Sequence, residues 1–122
     1  GDSALRGHYP LETQVLADGL SGNLTDNAID GEIICPFFPE GGRYTMDNIH
    51  YVKEQDKLIP AGMTEFAKDK TFGYKSSDLT EYVEEKTEGK YNKQDCITVS
   101  LEELNALNVQ KIKNKEKCTE KC

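Results

Sequence analysis

Apolar residues along the chain fall into short, separated runs whose spacing predicts a small set of elements. Residues 1–31 are rich in Gly, Asp and Asn and hold one apolar run, Gln14-Val15-Leu16-Ala17. Gly19, Gly22 and Gly31 punctuate it, which predicts an extended arm or a hairpin with an irregular loop. Residues 32–38 read as a buried strand stopped by Pro36 and then Pro39. Pro39-Glu40-Gly41-Gly42 is a turn, after which the clearest helix is expected, from Thr45 to about Lys57. Thr45 suits the N-cap, and Asp47 falls in the first turn, where negative charge complements the helix dipole. Met46, Ile49 and Val52 or Lys53 follow at helical spacing. Ile49 and Val52 would face the core and His50 would sit off that stripe.

Farther on, the period shortens. Phe66, Phe72 and Tyr74 suggest short extended pieces, and Leu79–Glu84 alternates as a strand does. Thr87–Lys90 forms the next turn, and Tyr91 opens another extended piece. Cys96–Leu101 is β-branched and alternating, the best strand pattern in the chain. Glu102–Asn105 continues as a short helix or a hairpin turn, and Leu107–Lys113 alternates again. One helix followed by successive strands is the α+β pattern: an α-helix packed on a small antiparallel β-sheet. The length suits one domain, with residues 1–31 as an N-terminal arm or hairpin and 32–122 as the body. There is no internal repeat and no low-complexity tract.

Composition narrows the function classes. Apolar residues are 36% and charged residues 30%, so a compact core sits under a heavily solvated surface. No apolar run is long enough to span a bilayer, and no membrane partner is expected. The net charge of −7 disfavours nonspecific grip on nucleic acid. Residues 1–43 carry seven acids against two arginines, and residues 111–122 five lysines against two glutamates. That basic end reads as a solvated edge, with a partner-binding patch as the alternative.

Cys35, Cys96, Cys118 and Cys122 include only one short-spaced pair, and His8 and His50 are remote in sequence. Closed zinc sites draw on two short pairs, so no metal and no cofactor is expected. An even cysteine count in a small chain reads as two disulfides of a secreted protein, with connectivity open. Asn23-Leu24-Thr25 is an N-glycosylation sequon, which agrees with secretion. No charged, apolar-centred leader is present, so in a secreted protein it would have been removed.

Ile33-Ile34-Cys35-Pro36, then Tyr44-Thr45-Met46-Asp47-Asn48-Ile49, and later Asp95-Cys96-Ile97-Thr98-Val99 leading into Leu107-Asn108-Val109, form an ordered set. This order resembles the ribonuclease-like (T1/F1-type) effectors secreted by powdery mildew fungi, over residues 32–122. The resemblance implies a C-terminal cysteine paired with Cys35. It also implies a strand-borne catalytic glutamate, for which Glu81 is the candidate and Glu84 the neighbouring alternative. Where the family has its Arg and its acid His, this chain has Cys96 and the stretch Lys111-Ile112-Lys113. Such a ribonuclease would lack its general acid and its phosphate-stabilising cation.

The expectation is therefore a secreted, non-catalytic ribonuclease-fold effector of a plant pathogen, delivered toward the host cell as a monomer. Its partner would be a host protein, including an intracellular immune receptor, with at most weak RNA binding. Tyr82, Tyr91 and Lys111 are the candidate contact residues. The alternative readings are a salivary or parasite inhibitor of a host protease or immune factor, and an active ribonuclease using Glu81 or Glu84 with Lys111.

Overall fold

The computed structural model describes residues 2–21, 31–106, 109–110 and 112. Two helices open the chain, α1 (Ser3–Arg6) and α2 (Tyr9–Ser21). Strands β1 (Arg43–Met46), β2 (Ile49–Glu54) and β3 (Lys57–Pro60) form an antiparallel sheet in that order. Helices α3 (Leu79–Lys86) and α4 (Leu101–Asn105) follow. The chain is α+β with a small antiparallel sheet, but the elements sit elsewhere than the periodicity predicts.

The expected Thr45–Lys57 helix is instead the β1–β2 hairpin. Asp47 and Asn48 take positive φ, 49° and 65°, which makes a two-residue turn whose twist matches paired strands. That turn sets the register Arg43↔Val52 and Thr45↔His50. Side chains then alternate with period two, so Arg43, Thr45, His50 and Val52 share one face. Val52 is buried as expected, but His50 is buried beside it rather than set aside. Gln55, at φ 54°, turns the chain again into β3.

The expected strand Leu79–Glu84 is helix α3. Asp78 decides this: its Oδ1 accepts the N–H groups of Thr80 and Glu81, at 2.8 and 3.2 Å, and nucleates the first turn. Tyr82 and Lys86, one turn apart, are its buried residues. The expected strand 32–38 has no ladder partner beyond a single bridge from Phe38 to Arg43, since Pro36 and Pro39 donate no N–H. Cys96–Leu101 pairs with no strand either. A 3-10 turn (Lys93–Asp95) ends at Cys96, and Ser100 caps α4 in a reciprocal box with Glu103, so Glu102–Asn105 takes the helical alternative. Of the last expected strand, Val109, Gln110 and Ile112 have helical backbone, and its other residues lie outside the described ones.

Residues 2–21 are not an extended arm. Leu5 of α1 and Tyr9 of α2 lie in the core with Val52, Ala61, Ala67, Tyr74 and Tyr82. Tyr82 stacks on Tyr9 with centroids 5.6 Å apart and meets Tyr74 edge-on at 5.1 Å. Lys86 lays its stem in the same region, and its Nζ donates to the Phe72 carbonyl at 2.9 Å. Cys35 and Cys96 are free thiols, so neither forms a bridge. Cys118, Cys122 and the Asn23 sequon lie outside the described residues.

Candidate functional site

The chain has only two arginines among fifteen basic residues, and both reach one carboxylate. Asp2, preceding α1, accepts from Arg43 Nε at 3.4 Å through Oδ1 and from Arg43 Nη2 at 3.1 Å through Oδ2. Arg6, one turn along α1, places its Nε 3.0 Å from the same Oδ2. Burial works against a charge on Asp2, but the hydrogen bonds and charges of Arg43 and Arg6 prevail and hold its carboxyl below the usual aspartate range. Both guanidinium carbons lie over the Phe66 ring, at 5.8 Å for Arg6 and 5.7 Å for Arg43, so the aromatic face supports them.

Local structure delivers these groups. Arg43 begins β1 immediately after Gly42, whose φ of 72° closes the preceding 3-10 turn and would strain any other residue. Its Nη1 donates to the Gly41 carbonyl at 2.8 Å, and its side chain is only 16% exposed. The α1 turn ends at Gly7, where a Cβ would come within 2.8 Å of Glu12 and 2.9 Å of the Ser3 Cα. Ser3 donates its hydroxyl to Glu12 on α2. Asp2, Ser3, Arg6 and Gly7 line a shallow, open depression of about 360 Å³.

Behind the cluster the sheet face carries His50. Its Nδ1 lies 3.1 Å from Thr45 Oγ1, and its Nε2 has no hydrogen-bond partner. Burial, chiefly, pulls its pKa below the usual imidazole value, with Arg43 adding to that and Asp2 opposing it. Tyr74 is buried nearby; burial pushes its phenol up to about 12, and Asp2 and Arg43 again act on it.

A larger concavity, about 830 Å³, runs along α3 and is lined by Ser76, Ser77, Asp78, Glu81, Glu84 and Glu85 among others. Size does not make it the better site, because Asp78, Glu81, Glu84 and Glu85 along it are already engaged in local contacts. Glu85 accepts the N–H groups of Lys75 and Ser76, Glu84 that of Lys93, and Glu81 pairs with Ser76 and Lys93. No cluster of three or more metal-ligating side chains exists among the described residues.

The sequence-derived candidates disperse. Glu81 and Glu84 lie on a helix, not a strand, and serve these local contacts. Tyr82 is 2% exposed and belongs to the core, so it offers no contact surface. Tyr91 is exposed under the Lys90 ammonium, 5.2 Å from its ring centroid, and is far in sequence from the arginine cluster. Lys111 lies outside the described residues. Cys96 is half-buried; burial and then Asp95 push its thiol up, which keeps it a poor nucleophile. Asp2, Arg6 and Arg43 are absent from the sequence-based candidates, although a signal existed. In a lysine-rich chain, two isolated arginines mark places where a planar, bidentate donor is needed.

No helix among the described residues is long and apolar enough to cross a membrane. No curated protein and no solved structure matches the chain. A family model described as a sugar-binding N-terminal domain matches residues 1–120. The match takes in α1, the hairpin and every residue of the arginine cluster, and the chain belongs to the family of sugar-binding N-terminal domains.

Proposed function

We propose that this domain binds a sugar bearing an anionic group, in the pocket at Asp2, Ser3, Arg6 and Gly7. The observation that carries this reading is the convergence of both arginines on Asp2. Asp2 and Glu12 together match the two guanidiniums in charge, so what the cluster offers a ligand is the N–H donors still facing the pocket, above all those of Arg6, rather than a net positive charge. Arg6, the more exposed of the two, offers its fork to a sugar carboxylate or comparable anion. Asp2, kept ionised by the arginines, accepts hydrogen bonds from sugar hydroxyls. Gly7 lets Glu12 and the Ser3 backbone pack closely at the α1–α2 turn, and Phe66 supports the two guanidiniums in place. The secreted-effector reading rests on residues 33–36, 44–49, 95–99 and 107–109 and on Glu81 and Glu84, none of which lies in the arginine cluster.

The test is calorimetric titration with D-gluconate, D-glucarate and D-galacturonate, using D-glucose as the neutral control. The acids should bind more tightly than glucose, with affinity falling as salt is added. Arg6→Ala should weaken acid binding by ten-fold or more, about 1.4 kcal/mol. Equal affinity for gluconate and glucose, or binding indifferent to Arg6→Ala, would remove the basis for this site.

A further inference from the structure

Among the residues that line the depression, Ser3 alone carries a hydroxyl, and its proton is already committed. Ser3 Oγ donates to Oε2 of Glu12, in the first turn of α2. Chemistry fixes the direction of that bond. An ionised carboxylate has no hydrogen to give, whereas a serine hydroxyl has one hydrogen and two lone pairs. With its hydrogen on Glu12, Ser3 Oγ can meet a ligand only as an acceptor.

The backbone around this contact is arranged for it. Gly7 has φ −120°, a conformation open to any residue, so no turn geometry demands glycine there. Space does: a Cβ would lie 2.8 Å from Glu12 Oε1 and 2.9 Å from the Ser3 Cα. The missing side chain lets the Glu12 carboxylate lie against residue 7 and reach Ser3. The His8 carbonyl accepts the Glu12 N–H at 3.3 Å and fixes where Glu12 starts from. Ser3 is held from behind as well. Its carbonyl accepts the Gly7 N–H at 3.1 Å and the Tyr82 hydroxyl at 3.4 Å.

We infer that Glu12 is a positioning residue of the sugar site: by taking the Ser3 proton, it commits Ser3 Oγ to accept a hydroxyl of the bound sugar acid. This rests on the sugar-binding reading above. Asp2, ionised, is also acceptor-only, and Arg6 is donor-only. The lining therefore suits a ligand that brings a carboxylate to Arg6 and hydroxyl hydrogens to Asp2 and Ser3. Ser3 and Arg6 stand three residues apart on α1, neighbours across one turn with Cβ atoms about 5–6 Å apart. The hydroxyl that Ser3 accepts is accordingly the one beside the carboxylate, on C2. Removing that hydroxyl forfeits the bond. Replacing it by an ether sets lone pair against lone pair, which is worse.

The experiment is calorimetric titration with D-gluconate, 2-deoxy-D-gluconate and 2-O-methyl-D-gluconate. The wild-type protein should bind them in that order of falling affinity, each step about three- to ten-fold. Equal binding of gluconate and its 2-deoxy counterpart overturns the inference with no variant needed. Glu12→Ala frees the Ser3 hydroxyl to donate, so the 2-O-methyl acid should gain on the 2-deoxy acid by about three- to ten-fold. Glu12 is exposed, so its loss opens no void in the core. Taking the ratio of two ligands of equal charge cancels any general effect of removing a carboxylate.

A double-mutant cycle separates positioning from a merely structural role. In a Ser3→Ala background, Glu12→Ala should leave the ratio of the two acids unchanged, because no hydroxyl remains to turn. A ratio unmoved by Glu12→Ala in the native background, or moved equally in both, overturns the role of Glu12 while leaving sugar binding intact. Failure of gluconate, glucarate and galacturonate all to bind overturns both readings.

Discussion

Arg43 spans 41 residues of sequence to place two guanidinium N–H donors on the two oxygens of Asp2, at 3.4 and 3.1 Å. The clamp ties α1 to the hairpin, so the pocket and the fold share one ion pair. Both side chains are mostly buried, 16% and 30% exposed, and a charge-assisted contact of this kind stabilises by about 1.5–3 kcal/mol. Arg43→Ala should therefore lower stability at neutral pH by that order, read from urea denaturation.

The same pair predicts an acid dependence. Despite its burial, the arginines hold the Asp2 carboxyl below its ordinary value of 3.8. A depressed carboxyl contributes stability that is fully present above its unfolded pKa and is lost as pH falls through its folded pKa. Unfolding free energy should thus decline below about pH 4, and Asp2→Asn should flatten that decline. Parallel acid slopes in wild type and variant would show that the pair carries no such linkage.

Tyr82 separates packing from polarity. It is 2% exposed between Tyr9 and Tyr74, and its hydroxyl reaches only the Ser3 carbonyl, at 3.4 Å. Tyr82→Ala should cost about 3–5 kcal/mol, the loss of a buried aromatic plus its cavity. Tyr82→Phe should cost under about 1 kcal/mol, since the bond it removes is long. Chemical denaturation of the two variants checks the contrast, and similar losses would mean that the hydroxyl matters more than the ring.

These contacts show what the sequence could and could not reveal. The α+β class follows from the mixture of periods, and Val52 reads correctly as core. The hairpin is missed because Met46, Ile49 and Val52 happen to fall at helical spacing, while the turn signal is Asp47-Asn48 rather than a glycine pair. Helix α3 is missed because Leu79–Glu84 also alternates, and only the Asp78 cap breaks the tie. The site is illegible for a different reason. The scarcity of arginine singles out Arg6 and Arg43, but Asp2 is an ordinary acidic residue in sequence, and nothing short of the fold says that they meet.

Asp78 itself offers a clean local test. Its carboxylate caps α3 through Thr80 and Glu81, and it also accepts the Thr80 hydroxyl, at 2.6 Å. Asp78→Ala should destabilise by about 1 kcal/mol, and Asp78→Asn, which keeps a capping oxygen, by only a few tenths. Hydrogen exchange should speed up selectively in α3 of the alanine variant. Uniform acceleration across the sheet as well would mean that the bridge between Ile49 and Asp78, rather than the cap, is what the substitution breaks.

The cysteines give the last prediction. Cys35 is an exposed free thiol, whereas Cys96 is half-buried and its Sγ lies 3.7 Å from the Asn92 carbonyl. Burial, with Asp95 next, raises the Cys96 pKa above the ordinary 9.0, so it carries even less thiolate at neutral pH than an ordinary cysteine. Thiolate is the species that alkylates. Iodoacetamide applied to the native protein near about pH 7.5 should therefore modify the exposed Cys35 ahead of the half-buried Cys96, as read by peptide mass spectrometry. Denaturation should erase the difference. Were Cys35 instead resistant in the native protein and reactive only after reduction, it would be disulfide-bonded in solution, as an oxidising, secretory environment would have it.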